Sequence, residues 1–324
     1  MTRILIEERA YARLESKLHT IGSDLQFVLM KADGLLYFNG QPITAAAAKP
    51  TVAWLNVDVA RANLTKPFVE TVLAAGTVKW LQTYNAGLDQ PFYQAMFEQG
   101  IRISASSAQA IAIAEYVIAN ILACYQGIFE RRRYQAAHQW QKTVFQELWH
   151  TRWLLCGFGN IGQAVAQRLR AFECQVVAVR RSGQAHPLAD QVITLAQMAQ
   201  HLPQVDGVVI ASPLTAETIG LVNDAFFQRL KPGATLVNIA RGKIVDQPAL
   251  IDALNRGVVA HAILDVFDPE PLPVDSPLWD MENVLLSPHS SNAGQNTPLR
   301  GDLLFLENLR RCLANQPLLN EAYQ

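Results

Sequence analysis

One stretch limits the folds open to this chain more than any other. Trp153-Leu154-Leu155-Cys156 runs straight into Gly157-Phe158-Gly159-Asn160-Ile161-Gly162, and Gln163 to Ala171 follows with helical spacing. A G-x-G-x-x-G string alone is weak, because glycine is common, but here it lies between an apolar strand and a helix, the context the motif requires. The glycines permit a tight turn and close approach of a pyrophosphate to the backbone. The helix N-terminus then offers amide donors and positive potential to the phosphate. The stretch predicts a dinucleotide-binding βαβ unit with Gly157, Gly159, Asn160, Ile161 and Gly162 against the cofactor.

The pattern around this unit is consistent with it. Val176 to Val179, Gly207 to Ala211, Thr235 to Ile239, Ala260 to Leu264 and Val284 to Leu286 are short apolar runs with little polar alternation. Such runs belong to a parallel sheet covered by helices on both faces. Upstream, Ile4 to Ile6, Val52 to Val57, Val78 to Thr83 and Ile101 to Ser104 read as further strands. Gln26 to Met30 and Leu35 to Phe38 flank Lys31-Ala32-Asp33-Gly34 and predict a hairpin. Phe92 to Gln99 reads as a helix ending at Gly100, and one long helix is expected from Ala108 to about Arg133. A chain of 324 residues accommodates about two domains.

The end of the strand after the glycine turn discriminates between nicotinamide cofactors. An NAD enzyme places Asp or Glu there, about 20 residues on, to accept from the adenosine ribose. This chain has Arg180-Arg181-Ser182. Two guanidinium groups and a hydroxyl suit a 2′-phosphate and offer nothing to a free 2′-hydroxyl. NADPH is therefore the preferred cofactor on this reading, with NAD remaining possible.

Three further segments place chemistry at predicted strand ends: Arg241 after Val237-Asn238-Ile239-Ala240, Asp265 to Glu270 after the next strand, and His289 after Leu285-Leu286-Ser287-Pro288. In open α/β sheets the ligand crevice lies outside the carboxyl ends of the strands. Hydride transfer to a 2-keto acid needs these residue types. A fixed cation, Arg241, can donate in a fork to the carboxylate and the keto oxygen. That oxygen must gain a proton, and histidine is suited to give one, so His289 is the candidate acid. A carboxylate beside it, Glu270, would favour the imidazolium and orient the ring.

Other classes are excluded or disfavoured. A formal net charge of -1 creates no field for nucleic acid or an anionic membrane. The triplet Arg131-Arg132-Arg133 reads as a solvated helix end. The longest apolar candidate for a membrane span, Ala108 to Tyr125, is interrupted by Gln109, Glu115 and Asn120, and the N-terminus lacks the apolar run of a signal peptide. Cys124, Cys156, Cys174 and Cys312 are widely spaced, which argues against disulfides and against a metal site and for reduced thiols in the cytoplasm.

Together these motifs resemble the D-isomer-specific 2-hydroxyacid dehydrogenases, in particular an NADPH-dependent glyoxylate/hydroxypyruvate reductase-like branch. The match runs from about Lys79 to Asn320 and takes in Gln82-Thr83-Tyr84-Asn85-Ala86-Gly87-Leu88-Asp89, the glycine turn, Ser212-Pro213-Leu214-Thr215-Ala216-Glu217-Thr218, the three catalytic segments and Glu307-Asn308-Leu309. The resemblance implies an α/β protein of two Rossmann-like or flavodoxin-like domains with parallel sheets and a cleft between them. Residues 1–103 with 293–324 would form the substrate domain and 104–292 the dinucleotide domain. It implies Arg241, Glu270 and His289 as the catalytic trio, and backbone amides at Ala86 and Gly87 for the substrate carboxylate. Asp265 would contact the nicotinamide carboxamide, and Ser212, Pro213, Thr218, Ile239 and Ala240 would line the cofactor side. A homodimer through the cofactor domains is the implied assembly.

The chain departs from the family where Arg180 replaces the usual aspartate and Glu173 the usual glycine, and its first hairpin is shorter and more strand-rich. Substrate choice is assigned to loops near Trp54-Leu55-Asn56 and Tyr84-Asn85, with Trp54 equally readable as ordinary core. Neither carries a Lys or Arg for a second anionic group, so a short or apolar 2-keto acid is expected in preference to phosphoglycerate or a dicarboxylate. Two rivals share the scaffold. One is another hydride-transfer enzyme, formate or phosphite dehydrogenase-like, and the formate enzymes carry glutamine at the position of Glu270, against the residue here. Dinucleotide-sensing corepressors retain the trio but have long flanking tails.

Overall fold

The computed structural model describes residues 2–322. It divides into two compact units, Met1–Gln109 together with Gln295–Gln324, and Ala110–Gly294, each with its own sheet.

In the first unit, strands β1 (Arg3–Glu7), β2 (Gln26–Met30), β3 (Leu36–Phe38), β4 (Gln41–Ile43), β5 (Val52–Leu55), β6 (Trp80–Thr83) and β7 (Arg102–Ser104) are joined by a terminal strand, Glu321–Ala322. Their order is Glu321–Ala322, β7, β6, β5, β1, β2, β3, β4. From β7 to β2 the strands are parallel, and β3, β4 and the terminal strand are antiparallel to their neighbours. Ile4, Leu5 and Ile6 have no exposed surface, as expected for a central strand covered on both faces. The helix Glu8–Ile21 starts where the Glu7 carboxylate accepts from the Ala10 amide at 3.0 Å. The predicted hairpin forms: Gly34, at φ +81°, donates to Lys31 O, and β2 pairs with β3. Its continuation into β4 was not predicted, since Gln41-Pro42-Ile43 is too short and polar to stand out.

The second unit holds β8 (Arg152–Cys156), β9 (Gln175–Val179), β10 (Gln191–Ile193), β11 (Gly207–Ile210), β12 (Ala234–Asn238), β13 (Val259–Leu264) and β14 (Val284–Leu286). All pair in parallel, in the order β10-β9-β8-β11-β12-β13-β14. The order reverses between β8 and β11, a switch point of the kind at which open α/β sheets bind ligands, outside the carboxyl ends of the strands. Alternate residues feed two cores. Leu154, Val177, Val208 and Leu236 pack in one, and Trp153, Leu155, Val176, Val209 and Val237 in the other. Both faces are dry, so the strands read as continuous apolar runs.

The long helix expected from Ala108 is two helices, Ala110–Tyr125 and Ile128–Ala136, bent by 56°. Gly127 adopts φ +58° and ends the first. Ala110–Tyr125 is a core helix, whereas none of Ile128–Ala136 is buried, which leaves the arginine triplet in solvent. Among the described residues no single helix is long and apolar enough to cross a membrane.

Candidate active site

The glycine turn is held by close backbone packing. Gly157 has φ +100°, and a Cβ there would lie 2.5 Å from the backbone of Ala211 and Ser212 in the loop after β11. A Cβ on Gly162 would overlap the carbonyl oxygen of Gly157. At Gly159 a Cβ would meet nothing within 4 Å, so that backbone faces open space. The helix is longer than predicted, Asn160–Ala171, and no side chain caps it through Gly159. An uncapped helix start beside an open glycine is a cradle that fits a pyrophosphate.

Strands β8 and β9 are neighbours with Cys156 opposite Val179, so Gly157 and Arg180 leave the sheet side by side. The Arg180 amide donates to Ile193 O, tying the turn to β10, and its Nη1 donates to Gln184 O at 3.4 Å. Arg181 and Ser182 are exposed, and Ser182 Oγ accepts from the Gln184 amide at 3.5 Å. Glu173 adopts φ +60°, a conformation glycine takes without strain. Its carboxylate accepts from Trp149 Nε1 at 3.2 Å.

After β11, Ser212 is buried and lies 3.8 Å from Cys156 Sγ. The Thr218 hydroxyl is used within its own loop, donating to Pro213 O at 2.8 Å and accepting from the Thr215 amide at 2.8 Å. It acts as that loop's clamp. After β12, Ile239 and Ala240 are buried. Asn238, which sequence reading passed over, shapes the turn: its Oδ1 accepts from the Ala240 amide at 3.1 Å and its Nδ2 donates to Arg241 O at 3.1 Å. Arg241 is half-buried and donates to Ala240 O at 2.7 Å. A Cβ on the next residue, Gly242, would overlap the backbone of Phe267, so the loops after β12 and β13 pack main chain on main chain.

Glu270 lies between Pro269 and Pro271, both in cis peptide bonds. Its Oε1 accepts from the Phe267 amide at 3.0 Å, and its Oε2 is 3.0 Å from His289 Nδ1. Glu270 Oε2 is placed to accept from Nδ1, and the carboxylate leaves Nε2 unengaged. Both side chains are reachable from solvent, His289 at 43% and Glu270 at 38% exposure. His289 has φ +50°, and its amide donates to Asp265 O at 2.8 Å. Strands β12, β13 and β14 are consecutive in the sheet, so Arg241, the Asp265–Glu270 loop and His289 occupy adjacent carboxyl ends.

Asp265 is almost wholly buried and collects donors from the histidine turn. Oδ1 accepts from Ser287 Oγ at 2.5 Å and from the Ser290 and Ser291 amides at 2.8 and 3.0 Å, and Oδ2 accepts from Ser291 Oγ at 2.5 Å. Tyr116 adds a hydroxyl 2.7 Å from Ser287 Oγ. No sequence motif marked Tyr116 or Ser291, because their significance lies in contacts across 171 and 26 positions. Among the described residues no group of His, Cys, Asp or Glu is arranged to hold a metal.

In the first unit the loop after β6 is held firmly. Asn85 Nδ2 donates to Tyr93 Oη at 2.8 Å, Tyr93 Oη is 2.6 Å from Thr83 Oγ1, and the Ser106 amide donates to Asn85 O at 2.8 Å. Burial pushes the Tyr93 phenol up, so it stays protonated. The Ala86 and Gly87 amides donate to no acceptor among the described residues. Of the two readings open to Trp54, core or substrate loop, the fold takes the first. The side chain is 2% exposed and stacks on Phe305 at 4.2 Å, so it belongs to the core instead of a substrate loop.

Residues 118–291 match the family described as D-isomer specific 2-hydroxyacid dehydrogenase, NAD binding domain. The chain belongs to that family. It is an NAD(P)-dependent oxidoreductase acting on the CH–OH group of 2-hydroxy acids. A glyoxylate reductase of Korarchaeum cryptofilum is 32% identical over 262 residues, 76% of each chain. A D-3-phosphoglycerate dehydrogenase of Archaeoglobus fulgidus is 30% identical over 79% of this chain and 49% of its own length. The crystal structure of a D-isomer specific 2-hydroxyacid dehydrogenase from Xanthobacter autotrophicus Py2, in complex with NADPH and MES, superposes with a TM-score of 0.77 at 26% identity, covering 99% of this chain and 98% of that one.

Proposed function

We propose that this dehydrogenase works as an NADPH-preferring reductase that converts short or apolar 2-keto acids to D-2-hydroxy acids, with His289 as proton donor. The observation that carries the reading is the Glu270–His289 pair at 3.0 Å, one strand end from Asp265 and two from Arg241. The nicotinamide cofactor, when bound, supplies the hydride. Gly157, Gly159 and Gly162, with the start of helix Asn160–Ala171, would hold its pyrophosphate. Arg180, Arg181 and Ser182 would receive the 2′-phosphate, and the relative whose structure contains NADPH lends this weight.

Within the chain the division of labour follows from charge. The Ala86 and Gly87 amides bind the substrate carboxylate, and Arg241 holds the keto oxygen and stabilises charge developing on it. Glu270 holds the His289 ring in place by accepting from Nδ1, and the proton carried by Nε2 passes to the oxygen. Asp265 is assigned to the nicotinamide carboxamide. The Tyr84–Gly87 stretch carries no cation for a second anionic group, which favours glyoxylate, hydroxypyruvate or apolar homologues over phosphoglycerate. The deciding assay follows oxidation of NADPH and NADH in parallel against such a panel. Turnover well above background with NADPH and a short or apolar acid supports the proposal; tight NADPH binding with no turnover of any acid rejects it.

The homodimer is part of the same proposal. Trp140 and Val144 are 97% and 101% exposed, and Phe129, Phe145 and Trp149 are open nearby in sequence. A second copy covering this apolar stretch accounts for side chains that water would otherwise disfavour.

A further inference from the structure

A helix reaches the histidine turn through one line of hydrogen bonds. Asp265 has virtually no solvent exposure, and its carboxylate oxygens accept from Ser287 Oγ, Ser291 Oγ and the Ser290 and Ser291 amides. Ser287 has a single hydroxyl proton, and the 2.5 Å contact commits it to Asp265 Oδ1. The Tyr116–Ser287 contact at 2.7 Å therefore has only one consistent polarity: Tyr116 donates and Ser287 accepts. Burial pushes the Tyr116 phenol up to about 12, so the donor proton stays in place through the working range of an enzyme.

The two ends of this line differ in stiffness. Tyr116 stands on helix Ala110–Tyr125, whose Ile113, Ala114, Val117, Ile118 and Ile121 are core residues. The other end is an exposed turn in which His289 holds φ +50°, a region that a residue with a Cβ enters at a cost. Residues 287 to 291 close around Asp265: the Ser287 hydroxyl, the Ser290 and Ser291 amides and the Ser291 hydroxyl all donate to its carboxylate, and the His289 amide donates to its carbonyl. The turn's geometry thus depends on where that carboxylate sits, and Tyr116 is the contact that ties Ser287 to the core helix.

We propose that Tyr116 is a positioning residue for His289, acting through Ser287 and Asp265 to hold the turn in the conformation that presents the imidazole. The proposal rests on the reading of His289 as proton donor, and its test includes a readout that does not. Tyr116→Phe removes one hydroxyl and keeps the ring. In the full-length enzyme it lowers kcat about tenfold while the keto-acid KM and the NADPH Kd stay within about twofold, because an aligned acid matters more at the transition state than for ground-state binding. Ser287→Ala gives a similar loss, and the double variant is no worse than Ser287→Ala alone, since both changes cut one line. In the cofactor-free protein labelled at its seven histidines, the His289 signal, identified by its disappearance in His289→Ala, shifts or broadens in Tyr116→Phe while the other six hold. An unmoved His289 signal overturns the proposal, as do unchanged kcat or losses from Tyr116 and Ser287 that multiply independently. A shifted signal in a protein that turns over no 2-keto acid upholds the positioning role and rejects the reductase reading alone.

Discussion

His289 and Arg241 are each unremarkable until their neighbours are counted. A histidine 43% exposed could serve any surface purpose, but one whose Nδ1 meets a carboxylate at 3.0 Å has its ring held in place and its second nitrogen left unengaged by that carboxylate. Removing the proton donor with His289→Ala, or the cation with Arg241→Ala, should lower kcat/KM by about a hundredfold or more. NADPH affinity, read by fluorescence titration, should survive in both. Wild-type-like turnover in either variant rejects the role assigned to it. Cofactor choice is a separate residue-scale matter, because Arg180 and Arg181 lie beyond β9 and away from Glu270 and His289 in sequence and strand position. Arg180→Asp with Arg181→Ser should turn the kcat/KM ratio toward NADH; an unchanged ratio places 2′-phosphate recognition elsewhere.

At the scale of elements, glycines that look alike in sequence do different work. Gly162 and Gly242 sit where a Cβ would strike backbone, of Gly157 and Phe267 respectively, and backbone cannot rotate out of the way. Gly162→Ala and Gly242→Ala should each cost on the order of 1–3 kcal/mol of stability, measured as a lowered denaturation midpoint. Gly159→Ala meets nothing within 4 Å, so its stability should hold while NADPH binding weakens, the added methyl standing where a phosphate would approach. Loss of stability in Gly159→Ala with unchanged binding contradicts this division. The break at Gly127 belongs to the same scale. Hydrophobic periodicity ran through it, and only the φ of +58° ended the helix.

The whole molecule is two units, the first of which is completed by the end of the chain. Helix Thr297–Leu313 brings Phe305 against Trp54 and Trp80, and Asn308 donates to Gln82 across 226 positions. Arg13 pairs with Asp302 at 2.7 Å and with Asp58 at 2.8 Å, fastening the first helix to that last one. At this scale the proposed dimer is open to test. Trp140→Asp with Val144→Asp should move the sedimenting species to monomer mass while far-ultraviolet circular dichroism is retained. A wild-type protein already at monomer mass removes the dimer from the proposal.

The sequence by itself determined the βαβ start and the parallel sheet of the second unit, and it put Arg241, Glu270 and His289 at strand ends, because all of these are local. Strand runs, glycine spacing and residues at strand ends are written within a few positions of one another. It did not reveal that Trp54 is core, that Thr218 clamps its own loop, or that Asp265 is enclosed by the turn carrying His289. Burial and hydrogen-bond partnership depend on what packs from far along the chain. A tryptophan two residues before a loop looks the same whether it faces Phe305 or a substrate, and only the folded sheet, with its last helix laid against it, decides which.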